Sequence, residues 1–181
     1  LMFFNINALA FIFSLVCTGL IINFLIPKFT KKEIIGIDRN KPSKPHIPEM
    51  GGFGVIFGFL VGFIINVCIT LILHPDTEIK PFLFLSTTTI FLISLIGILD
   101  DLINIEQKVK AFMPFLLALP LGFFVSSEMD LPYFGLVDFG YLMIILIPLG
   151  ITSAANSLNM LEGFNGLSTG MSIIIVSDNF W

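Results

Sequence analysis

Charge is what this sequence has least of. Only 12% of its 181 residues are Asp, Glu, Lys or Arg, with 9 basic side chains against 13 acidic ones. A soluble domain carries about twice that share, so a water-facing globule is excluded. Cysteine is almost as scarce. Cys17 and Cys68 both lie in apolar runs, which leaves them a packing role and excludes a disulfide framework or a thiolate metal site. The two histidines, His46 and His74, stand alone in polar segments and read as solvated loop residues. The first apolar run has neither a basic leader nor a small-residue cleavage site, so a removable signal peptide is not expected. No nucleic-acid partner is expected either.

What the sequence does have is apolar length: 56% hydrophobic residues, 21 of them Phe. Runs long enough to cross about 30 Å of hydrocarbon need roughly 20 residues. The pattern predicts an all-α polytopic membrane protein, a single membrane domain over residues 1–181, with about five complete transmembrane helices and a sixth that is cut short. The expected spans are Phe3 to Ile26, closed by Pro27 and Lys28, then Gly51 to Leu73, Pro81 to Leu99, Ala111 to Ser127, and a fifth from Phe139 toward Asn156. In the second span Gly54, Gly58 and Gly62 recur every fourth residue, a small-residue stripe against which another helix can pack closely. Pro114 and Pro120 are expected to kink the fourth. Leu167 to Val176 opens a further apolar segment that stops well short of a span.

Loop charge sets the orientation. Six of the nine basic residues, Lys28, Lys31, Lys32, Arg39, Lys41 and Lys44, lie in one loop, and Lys108 and Lys110 lie two loops later. The positive-inside rule puts these loops in the cytoplasm and the N-terminus outside. The loops His74 to Lys80 and Glu128 to Asp138, with five acids and one Lys between them, are then external.

Three polar stretches fall on the cytoplasmic side. In the central one, Ile96-Gly97-Ile98-Leu99-Asp100-Asp101-Leu102-Ile103-Asn104, an uncharged run ends in adjacent carboxylates. Acids at a helix C-terminus oppose the macrodipole by a few tenths to about 1 kcal/mol each, and a cation relieves them. Should the helix continue briefly, Asp100 and Asn104 share a face, and oxygen ligands converge as a hard cation such as Mg²⁺ requires. The plainer reading is that the acids mark where the helix meets water. The earlier stretch, Gly36 to Gly52, joins Arg39 and Glu49 to three prolines and a diglycine, as a shaped loop or as a topology-setting basic loop. The later one, Asn156-Ser-Leu-Asn159 through Gly163-Phe-Asn165-Gly166, places amides near membrane depth. They serve either a ligand or helix-to-helix hydrogen bonds. Lys110 reads equally as a phosphate-binding point charge and as a snorkelling anchor.

Taken together, in this order and spacing, the three stretches resemble the polyprenyl-phosphate N-acetylhexosamine-1-phosphate transferases, glycosyltransferase family 4. Asn165 makes the third stretch most similar to the archaeal and eukaryotic branch acting on UDP-N-acetylglucosamine and dolichyl phosphate. Glu162 leaves a bacterial-type enzyme acting on undecaprenyl phosphate as the alternative, and a non-catalytic carrier or scaffold is the rival from another class. The resemblance implies transfer of a sugar-1-phosphate from the UDP-sugar to the polyprenyl phosphate, release of UMP, a Mg²⁺ requirement and the first step of lipid-linked oligosaccharide synthesis. It implies Asn159 as a Mg²⁺ ligand, Asp100 and Asp101 as the catalytic acidic pair, and Lys110 as a diphosphate-binding lysine. It further implies Gly163, Asn165 and the Arg39 backbone as the uridine pocket, and Glu49, Asn104 and Asn156 as further substrate-binding positions. A phosphate is largely ionised at neutral pH, so Asp100 is expected to orient the lipid phosphate more than to deprotonate it. The family has about ten spans, so the resemblance makes this chain its N-terminal part and predicts no activity for that part alone. The expected setting is the lipid bilayer of the cell membrane in an archaeon or bacterium, or of the endoplasmic reticulum in a eukaryote; homodimerisation is left open.

Overall fold

Backbone amides in hydrocarbon have no water to bond, so apolar runs must satisfy them internally, as helices. The computed structural model describes residues 2–37, 41–48, 51–103, 105–161 and 166–178. Six α-helices account for most of them: α1 (Met2–Lys31), α2 (Gly51–Leu73), α3 (Pro81–Ile103), α4 (Gln107–Gly122), α5 (Met143–Leu161) and α6 (Leu167–Asp178). Two short antiparallel hairpins interrupt them: β1 (Ile35–Ile37) with β2 (His46–Pro48), and β3 (Glu128–Leu131) with β4 (Gly135–Asp138). The chain is an all-α polytopic membrane protein. Among the described residues, Ile6–Lys31, Gly51–Leu73, Pro81–Ile103 and Gly140–Leu161 are long and apolar enough to cross a bilayer.

Where the helices end differs from the sequence reading in three places. α1 passes through Pro27, which forfeits only its own bond to the Asn23 carbonyl, and continues to Lys31. Its last turn is held by Thr30, whose hydroxyl donates to the Ile26 carbonyl at 2.9 Å, and by the Lys28 ammonium 3.5 Å from the Phe24 ring centre. α3 runs past Leu99 to Ile103, so Asp100 and Asp101 belong to its final turn. α4 begins earlier than expected, at Gln107, and stops at Gly122 after 16 residues. It is the one apolar helix of the expected five that is shorter than a span.

The chain divides into two compact units. The first contains Leu1–Asp38, Lys44–Leu83 and Ser94–Asn104. Its centre is the antiparallel pair α1–α2, and the glycine stripe of α2 is buried against α1. A methyl group on Gly58 would collide with the Thr18 hydroxyl and lie 2.8 Å from the Ser14 carbonyl. On Gly62 it would lie 2.8 Å from Ser14 Cβ, so only glycine permits this approach. Nearer the far end of the pair, Asn66 Nδ2 donates to Asn7 Oδ1 at 2.8 Å.

The second unit contains Arg39–Ser43, Phe84–Ile93 and Ile105–Trp181, and its centre is the antiparallel pair α4–α5. Gly122 is buried, and a methyl there would lie 2.7 Å from Ile144 Cα and 2.9 Å from the Ile144 carbonyl oxygen. Pro148, four residues on, has no N–H to offer that carbonyl. A glycine therefore lets the backbones meet where the α5 ladder lacks a donor. One turn on, the Thr152 hydroxyl donates to the Pro148 carbonyl at 2.7 Å.

Candidate active site

Asp100 and Asp101 lie in the last turn of α3, Asp100 half-buried and Asp101 exposed. The last turn of α3 has no basic residue. Both carboxylates therefore add to the negative end of the helix dipole. The opposite arrangement opens α4. Its first turn contains no acid and carries Lys108, with Lys110 following, beside the unpaired amides at the positive end. Each of these four charges has the sign that destabilises its own helix terminus, at about 0.3–1 kcal/mol apiece. A cation at the first terminus and an anion at the second would offset these terms, and at the second the N-cap residue Glu106 already supplies one acid.

Within the second unit, the structure brings Lys110 and Asn156 to the same end of one helix pair. Asn156 is half-buried in α5, and its Nδ2 donates to the Ala111 carbonyl of α4 at 3.2 Å and to the Thr152 carbonyl of its own helix at 2.9 Å. The residue bridged is the neighbour of Lys110, whose own N–H closes the first turn on the Glu106 carbonyl at 3.0 Å. The α4–α5 pair is thus fastened at Gly122–Ile144 and again at Ala111–Asn156. Asn159, one turn further along α5, is exposed. The two amides differ: Asn156 spends both donors on backbone, whereas Asn159 presents its amide at the surface. For Asn156 the interhelical reading, open in the sequence, describes the geometry.

Of the other expected site residues, Arg39, Glu49, Asn104, Gly163 and Asn165 lie outside the described residues. The loop that was expected to be shaped is so. β1 and β2 pair Ile35 with Pro48, Gly36 with Ile47 and Ile37 with His46. It follows directly on α1, the Ile34 N–H donating to the Phe29 carbonyl at 3.0 Å. Lys108, expected as a topology charge, lies in the first turn of α4.

Among the described residues no three or more of His, Cys, Asp and Glu are grouped to hold a metal ion. Zinc or a transition metal held wholly by protein is not what this donor set suits. Mg²⁺ makes a smaller demand, one or two carboxylates completed by water and phosphate oxygens, and the Asp100–Asp101 pair fits it.

Comparison with known proteins bears on the same residues. The model of the family described as Glycosyl transferase family 4 matches residues 83–178, which include α4, α5 and both carboxylates. A Saccharolobus solfataricus protein provisionally named UDP-N-acetylglucosamine–dolichyl-phosphate N-acetylglucosaminephosphotransferase is 38% identical, over 85% of this chain and 47% of its own length. A Dictyostelium discoideum protein of that name is 28% identical, over 88% of this chain and 44% of its length. A phospho-N-acetylmuramoyl-pentapeptide-transferase of Chlorobium limicola is 29% identical, over 74% and 39%. The chain spans about half the length of the curated relatives it matches.

Proposed function

Because the chain belongs to glycosyl transferase family 4, we propose that it forms part of an enzyme moving N-acetylglucosamine-1-phosphate from UDP-N-acetylglucosamine to a dolichyl or related polyprenyl phosphate. An oxygen of the lipid phosphate attacks the sugar-bearing phosphorus, the bond to the other phosphorus's bridging oxygen breaks, and UMP leaves with that oxygen. The observation that carries the reading is the pairing of wrong-signed charge at successive helix ends, acids closing α3 and lysines opening α4. The family's reaction uses a metal and a diphosphate, charges of the two signs that these helix ends favour.

In this reading Asp100 and Asp101 hold the cation and orient the acceptor phosphate. Lys110, with Lys108 beside it, binds diphosphate oxygens at the positive end of α4. Asn159 offers its amide oxygen to the metal, and Asn156 keeps the first turn of α4 in place. Mg²⁺, when bound, supplies neutralisation of phosphate charge. Phosphoryl transfer is mostly positioning and electrostatics, so these groups suffice without a strong base. The higher identity to the archaeal protein, 38% against 29% for the bacterial one, supports dolichyl phosphate as acceptor over undecaprenyl phosphate. Basic residues at 28–44 and 108–110 support a cytoplasmic position for these helix ends.

The test uses the full-length gene product in detergent. UMP release is measured with UDP-N-acetylglucosamine, dolichyl or undecaprenyl phosphate, and Mg²⁺ or EDTA, for wild type and Asp100→Asn. Metal-dependent release that the substitution abolishes is expected. Folded wild type releasing no UMP with either lipid, or a fully active Asp100→Asn protein, would overturn the reading.

A further inference from the structure

The β3–β4 hairpin, between α4 and α5, plays no part in the proposed chemistry. Its pairing runs Glu128 with Asp138, Met129 with Val137, Asp130 with Leu136 and Leu131 with Gly135. Side chains alternate across a strand, so the three acids share one face, and Met129, Leu131 and Val137 lie on the other. At the tip the Phe134 N–H donates to the Leu131 carbonyl at 3.1 Å, closing a turn with Pro132 second and Tyr133 third. Tyr133 has φ 73°. The third position of such a turn ordinarily takes glycine or asparagine, because a bulky side chain there is strained, on the order of 1–3 kcal/mol. Yet Tyr133 is fully exposed, and Phe134 beside it is 81% exposed. A strained aromatic that packs on nothing among the described residues is placed for something outside them.

Two further observations identify what lies there. α4 has 16 residues, about 24 Å at 1.5 Å each, against about 30 Å of hydrocarbon. With Lys108 and Lys110 at one membrane surface, its other end does not reach the opposite one, and the exposed Phe123 and Phe124 that follow begin at lipid depth. On the return, Tyr141 is 91% exposed at the entry to α5. The hairpin is thus tied at both ends, within a few residues, to exposed aromatics. Its strands are short, and the Phe139 N–H donates to the Ser127 carbonyl at 2.9 Å, holding the base closed.

We propose that the β3–β4 hairpin is a membrane-interface anchor, with Tyr133 and Phe134 seated among the headgroups of the leaflet opposite Lys110. Tyrosine suits that layer because its ring is apolar and its hydroxyl polar. Residues 126–139 contain three acids and no base, so the anchor works by aromatic partition and not by attraction to anionic lipid.

Single cysteines replace Tyr133, Phe134 and Asp130 in an otherwise cysteine-free full-length protein, each carrying a nitroxide label in phosphatidylcholine nanodiscs. Labels at 133 and 134 are expected to collide more with oxygen than with a water-soluble nickel chelate. The label at 130 is expected to show the reverse order. Exchanging a third of the lipid for phosphatidylglycerol is expected to leave all three unchanged. Nickel access at 133 and 134 equal to that at 130 would overturn the proposal, as would shielding from both reagents, the signature of a protein cover. Tyr133→Gly, which relieves the strained φ, keeps the argument independent of folding: its hairpin persists, while a label at 134 moves toward water.

Discussion

Replacing Asn156 by alanine separates a clamp from a substrate ligand. The variant loses two hydrogen bonds, 3.2 Å to the Ala111 carbonyl and 2.9 Å to that of Thr152. Side-chain hydrogen bonds within membrane helices contribute about 0.6 kcal/mol on average and about 1.7 at most. Only the Ala111 bond crosses between the helices, so the clamp is worth roughly 0.6–1.7 kcal/mol. If it acts by keeping the first turn of α4 in register, freeing that turn leaves Lys110 correctly placed about a tenth as often, since about 1.4 kcal/mol is tenfold. Lys110→Ala, which removes the charge itself, is expected to cost more, about 10²–10³ in kcat, by analogy with removal of one oxyanion donor. The deciding measurement is a double-mutant cycle on UMP release by the full-length protein. With Lys110 already alanine, Asn156→Ala has nothing left to position, and the double variant is expected to match Lys110→Ala within about twofold. A further tenfold loss in the double variant would refute the clamp and return Asn156 to the substrate-binding role that the resemblance implies.

Three other outcomes are expected. Asn159→Ala should raise the Mg²⁺ concentration for half-maximal UMP release at least tenfold, since even outer-sphere changes cost about 10–100-fold; an unchanged titration would remove Asn159 from the metal site. Gly58→Ala should destabilise the α1–α2 pair by about 1–2 kcal/mol in reversible detergent unfolding. That is overpacking of about 1–3 kcal/mol less a helix-propensity gain of up to about 1. Gly97→Ala, where a methyl meets nothing within 4 Å, should be neutral or stabilising, and equal effects at the two sites would contradict the packing. The Asp138 carboxyl is held below its ordinary value by the Ser127 side chain first and the Gly140 N–H second. A depressed folded value contributes stability that is complete above the unfolded pKa and is lost as pH falls through the folded one. Protection of the Gly140 amide from hydrogen exchange, corrected for intrinsic rate, should hold at neutral pH and fall in acid below the ordinary carboxylate range. Asp138→Asn, which still accepts the bond, should flatten that dependence.

Helix positions were legible in the sequence wherever hydropathy decided them. α2 spans Gly51–Leu73 as its apolar run predicts, and its glycine stripe packs on α1 as every-fourth-residue spacing implies. Boundaries failed where one residue was taken as punctuation. Pro27 does not end α1, because it forfeits only its own bond to the Asn23 carbonyl, and Ser127 does not end α4, because Val125 to Ser127 lead into the β3–β4 hairpin. Neither hairpin was legible. Strands of three or four residues carry too little alternation to stand out, and the turn at Tyr133 lacks the glycine that ordinarily marks it. In the candidate site, the places of Asp100 and Asp101 near a helix end and of Lys110 near a helix start were legible because charge at a helix end is conspicuous in so apolar a chain. The division of labour between Asn156 and Asn159 was not. Three-residue spacing puts both on one side of a helix and says nothing of which meets a neighbouring carbonyl.

The shortness of α4 reaches beyond its own fold. A 16-residue helix is about 6 Å shorter than the hydrocarbon around it. Hydrophobic mismatch of this size is met by local thinning, at fractions of a kcal/mol per Å. If the bilayer thins to meet α4, a dimple forms in the annular lipid beside the helix that holds Lys110. Acyl-chain length becomes a control variable: shorter-chain bilayers relax the dimple, and longer-chain ones deepen it.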